Sequence, residues 1–97
     1  MTNGGSAERR SLKYIRLAAF LADQPPDIDR LVLTISEIEH LVGEALPEGA
    51  RFPSWWRNDE HRAHSRAWLT AGWTVSEMQA VEANVEFVRD EVARTSL

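Results

Sequence analysis

The chain has 97 residues, 43% of them hydrophobic and none of them cysteine, and a formal net charge of −4. That length fits a single domain, and the missing cysteines exclude disulfides and thiolate metal sites. The acidic balance excludes the broad basic field that indiscriminate nucleic-acid binding needs. No window approaches the ~18 apolar residues of a bilayer span and no signal-peptide run is seen, so a cytoplasmic protein with no membrane partner is expected.

Residues 1–10, MTNGGSAERR, are small and polar and read as a flexible arm. From Ser11 as N-cap, LKYIRLAAFLA sets Tyr14, Leu17, Ala18 and Leu21 at helical spacing, and DQPPD ends that helix. LVLTI, Leu31 to Ile35, alternates and is rich in β-branched residues, which predicts a short strand. Ser36 and Glu39 match a capping box at the start of a second helix. Ile38, Leu41 and Val42 form that helix's buried face, and Gly43 is its left-handed C-cap. EALPEGARFPSWW, with two prolines and a glycine, reads as a loop that runs extended into the tryptophan pair. Asn58 or Asp59 caps a third helix that runs to about Ala71 and stops at Gly72. Val75, Met78 and Val81, then Val85 and Phe87 after a turn near EAN, predict a hairpin. The tail is 91–97.

The resulting order is helix, strand, helix, helix, strand, strand. It predicts one α+β domain over 11–90, winged-helix-like, with a small sheet and a hairpin wing. Trp68, Trp73, Leu33, Ile38, Leu41 and Phe87 are its expected core.

Residues 51–73 hold all four tryptophans and two of the three histidines. They also carry Arg51, Arg57, Arg62 and Arg66 against Asp59 and Glu60, a local +2 in a chain whose remainder is −6. At ~100° per residue the third helix turns Ala63, Ala67, Ala71, Trp68 and His64 inward and Arg62, Ser65 and Arg66 outward. Trp55 and Trp56, adjacent in an extended run, point to opposite sides, one buried and one partly exposed. His61 and His64 are spaced for a helix face, but without cysteine or an H-E-x-x-H pattern they make no metal site. Ser65 and His61 lack an orienting acid, so no enzyme and no cofactor are expected.

LTISEIEHLVG, LPEGAR, WWRND, RAWLTAGW and VEFVR together resemble a family of small bacterial and phage domains of unknown function. Its pattern runs strand-S-E-I-E, L-P-x-S-A-R, W-W-x-N, A-W-x-x-A-G-W and V-x-F, over about Tyr14 to Arg89. Asn58, Arg66, Trp68, Gly72 and Trp73 match it, whereas Gly49 stands where Ser is usual and RAHSRAW where H-S-Q-A-R-A-W is usual. The resemblance implies the architecture and no activity.

The function expected from these residues is DNA binding by the third helix and the WWRN segment, as in a regulator, with Arg57, Asn58, Arg62, Ser65 and Arg66 as contacts. A homodimer would gain affinity on duplex DNA. The rival expectation is a protein-interaction module or phage-type accessory factor that meets its partner through Trp55 and Trp56.

Overall fold

Tyr14, Leu17 and Leu21 do recur on one side of a helix, α1 (Ile15–Ala22), and all three are buried. The computed structural model describes residues 13–90, so the expected arm over 1–10, the Ser11 cap and the 91–97 tail lie outside the described residues. Strand β1 (Arg30–Thr34) passes directly into helix α2 (Ile35–Val42). The capping box at that junction lies two residues earlier than Ser36 and Glu39. Thr34 Oγ1 accepts from Glu37 N at 3.0 Å, and Thr34 N donates to Glu37 Oε1 at 2.8 Å. Both T-I-S-E and S-E-I-E fit the motif; the first wins because β1 keeps its pairing as far as Thr34 and leaves no spare residue before the helix. Glu39 is thereby freed, and its Oε2 accepts from Leu46 N at 2.9 Å, closing the loop after α2. Gly43, at φ +92°, is the left-handed cap expected of it.

The segment that follows is not extended. It folds into two 3₁₀ turns, Glu48–Arg51 and Pro53–Trp56, with Phe52 as the extended residue between them. Proline at the first position of the second turn supplies the φ that turn needs. Asp59 opens a turn rather than a helix: its carboxylate accepts from His61 N at 2.9 Å and its carbonyl from Arg62 N at 3.0 Å. Helix α3 (Ala63–Thr70) starts only after that turn, and Gly72 at φ +90° follows its end.

Strands β2 (Trp73–Gln79) and β3 (Asn84–Arg89) form a hairpin, and the antiparallel sheet runs β1–β3–β2. Val85 and Phe87 on the central strand face Leu33 and Leu31 on one side and Met78 and Val75 on the other. A bulge between Val75 and Glu77 lets Val75 and Met78 both face inward despite their odd spacing. Val81, expected in the strand, sits fully exposed in the hairpin turn, where Ala83 adopts φ +52°.

The three helices cover one face of this sheet, with α1 the helix on which both α2 and α3 pack. Trp56, Trp68, Trp73 and Phe87 fill the centre, and Leu41, expected in the core, lies at its margin. Each buried indole finds an acceptor: Trp56 donates to Ala50 O at 2.7 Å, Trp68 to Asn58 Oδ1 at 2.9 Å and Trp73 to Leu21 O at 2.9 Å. Apolar area and a satisfied N–H are thus supplied together, the condition for burying tryptophan cheaply. Arg89 lies over the Trp73 ring at 4.5 Å and donates to the carbonyls of Pro25 (2.9 Å) and Ile28 (2.8 Å), tying the α1–β1 loop to the last strand.

Candidate functional site

The WWRN segment folds back across α3. Ser65 Oγ donates to Arg57 O at 2.7 Å, and the His64 ring stacks on Trp55 at 3.7 Å between centroids with its Nε2 donating to Trp55 O at 2.8 Å. α3 is therefore flanked on two sides, by α1 and by residues 55–58, and its buried arc is wider than one neighbour would make it. Ser65, expected outward, is completely buried, while Ala63, expected inward, is exposed. Arg62, Ala63, Arg66 and Thr70 remain as the outer arc.

Asn58 also departs from its expected role. Its Nδ2 donates to Val75 O at 2.9 Å, and its Oδ1 accepts from Val75 N at 2.8 Å and from Trp68 Nε1 at 2.9 Å. One amide side chain thus pairs with the outer edge of β2 as a neighbouring strand residue would, and satisfies a core indole as well. Both Asn58 and Ser65 spend their polar atoms on the fold. Trp56, expected as a partner contact, is buried; Trp55 is half-buried, edge-on to Tyr14 and Trp56.

The arginines differ among themselves. Arg62 pairs with Asp59 at 3.5 Å, both side chains well exposed, so the pair contributes little stability and is easily broken. Arg57 and Arg66 are exposed and make no ion pair among the described residues. Arg66 borders a groove of about 230 Å³ between α1 and α3, with Tyr14 and Ile15 on its far side. Asp59 and Glu60 stand at the turn before α3, and three further carboxylates, Glu77, Glu82 and Glu86, line the outer face of the sheet and the hairpin. Arg30 pairs with Glu86 there at 3.6 Å.

Burial holds the His64 imidazole below its ordinary 6.5, with the carbonyl of Trp55 opposing that shift. The core reading of His64 holds in its hydrogen bond, though the ring is only partly buried. His61 is exposed, and no hydrogen bond joins it to Ser65. Among the described residues no group of three or more histidines and carboxylates is arranged to hold a metal ion. No helix among them is long and apolar enough to cross a membrane.

A small α+β domain with three helices over a three-stranded antiparallel sheet, and three exposed arginines around α3, is thus defined. The chain belongs to the family described as a domain of unknown function, DUF7662, whose model matches residues 14–90. No curated protein and no solved structure matches the chain.

Proposed function

We propose that the domain binds duplex DNA with the outer arc of α3, Arg57 and Arg66 contacting phosphates or base edges and Arg62 joining them once it leaves Asp59. The observation that carries this reading is the segregation of charge: unpaired guanidiniums flank α3 while the carboxylates of the hairpin lie on the sheet's other face. Element order and the β1–β3–β2 sheet favour a winged-helix-like architecture. Two features set it apart from the common form. The link from α2 to α3, residues 43–62, is long and carries two 3₁₀ turns, and the hairpin is acidic, so it would stay off the phosphates. Contact is then confined to one face, in keeping with a cytoplasmic regulator that gains affinity by pairing on DNA.

Fluorescence anisotropy against random and genomic duplexes at several salt concentrations tests the reading. Removing one arginine–phosphate pair should lower the slope of log affinity against log salt by ~0.9, so Arg57→Ala and Arg66→Ala should each show that change. Asp59→Asn, which keeps an acceptor for His61 N and releases Arg62, should tighten binding. Absence of binding at tens of micromolar protein in low salt would end the DNA reading. It would leave the second one, a protein-interaction surface, which Phe52 favours: this ring is 61% exposed beside the half-buried Trp55.

A further inference from the structure

Away from α3, the start of α2, the 45–51 segment and the β2–β3 turn line an open cavity of about 370 Å³. Two of the stretches that carry the family resemblance meet there: S-E-I-E contributes Ser36 and Glu39, and LPEGAR contributes Leu46, Glu48 and Arg51. Small side chains keep the space open, Ala45 and Ala50 from one wall and Ala80 and Ala83 from the turn. Ile35, Leu46 and Met78 give it an apolar floor.

Three charged side chains line this space, the carboxylates of Glu39 and Glu48 and the guanidinium of Arg51, and no ion pair joins them. Glu39 is anchored through Oε2 on Leu46 N at 2.9 Å, and its other oxygen has no hydrogen-bond partner among the described residues. Arg51 lines the same space with no ion pair or hydrogen bond to its guanidinium among those residues. A fixed carboxylate and an unengaged guanidinium over an apolar floor call for a ligand with an ammonium, a carboxylate and an aliphatic group. The volume lies at the low end of the ~300–1,000 Å³ of small-molecule sites, which restricts that ligand to a few heavy atoms beyond its charged groups.

We propose that this cavity binds a free amino acid with an aliphatic side chain. Its carboxylate lies on Arg51 in a forked pair, its ammonium on Glu39, and its side chain against Leu46 and Met78. The site is separate from the α3 face, since Arg57 and Arg66 do not line it.

The test is an amide chemical-shift titration of the full chain with L-leucine as the probe. Saturable shifts are expected at Leu46, Arg51 and Met78, with the amides of Arg57 and Arg66 unmoved. N-acetyl-leucine lacks the ammonium and leucinamide the carboxylate, so each should bind roughly ten-fold more weakly, as should leucine to Arg51→Gln and to Glu39→Gln. Gln at 39 keeps an acceptor for Leu46 N. If that variant fails to fold, Ala80→Leu, which fills the cavity from the exposed turn, should abolish the shifts in a folded protein. The proposal is overturned if leucine gives no saturable shift at millimolar concentration, or if the derivatives lacking one charge bind as tightly as leucine.

Discussion

Asn58→Ala should destabilise the domain by about 2–4 kcal/mol, although residue 58 is exposed. Three hydrogen bonds vanish with its amide, and they are not equivalent. Val75 N and O lie on the outer edge of β2, where water can replace the missing amide, so each costs about 1 kcal/mol or less. The indole of Trp68 is wholly buried, so its Nε1 is left without an acceptor unless water enters the core, at a cost of ~1–3 kcal/mol. Against a total stability of order 5–15 kcal/mol the change is large, and in urea it shifts the midpoint by about 1–2 M. Far-UV circular dichroism is the suitable readout, since it permits a double-mutant cycle with Trp68→Phe. That substitution removes the donor Asn58 serves, so Asn58→Ala should cost at least ~1 kcal/mol less in its presence. A loss below ~1 kcal/mol for the single variant, or no coupling, would show that Asn58 is a surface residue whose amide is free for another use.

The remaining predictions concern Trp68 and His64. Trp68→Ala should cost about 3–5 kcal/mol in the same urea experiment, because an indole packed on Trp56 and Phe87 leaves a void that so small a core cannot close; a cost under ~1 kcal/mol would contradict the burial. His64 takes up a proton less readily in the fold than in the unfolded chain, so its contribution is full above 6.5 and declines as pH falls from there towards the folded-state value. Wild type should therefore lose stability relative to His64→Gln between pH 7.5 and 5.5, and a difference that stays constant over that range would refute the assignment.

What is legible in the sequence, and what is not, follows from the range of each interaction. The inward faces of α1, β1 and β3 depend on spacing alone, and Leu17, Leu21, Leu33, Val85 and Phe87 lie where periodicity puts them. The α2 cap is ambiguous from sequence because Thr34 and Ser36 each stand three residues before a glutamate; only the pairing of β1 with β3 decides between them. Periodicity misplaces Ser65 because an outward arc presumes that α3 has one neighbour, whereas the 55–58 segment covers a second side. Asn58 resembles a contact residue because its partner Val75 lies far along the chain, and no local pattern announces a side chain that closes a sheet edge. The Glu39–Arg51 cavity is hidden for the same reason, being assembled from three separated stretches.

The same distinction explains why aromatic and basic residues crowd into 51–73. A 3₁₀ turn followed by a two-turn helix must deliver Trp56 and Trp68 to one core, with Trp73 just beyond, and each bulky ring faces inward at the expense of polar neighbours turned out. Arg57, Arg62 and Arg66 occupy those outward positions, where any soluble residue would satisfy the fold. Their being arginine, in a chain of net charge −4, is not required by packing. Asn58 and Ser65, by contrast, are fixed by hydrogen bonds that no arginine could make. Packing therefore leaves the charge of this segment unexplained: four arginines stand against Asp59 and Glu60, and the proposed contact of α3 with DNA would account for the excess.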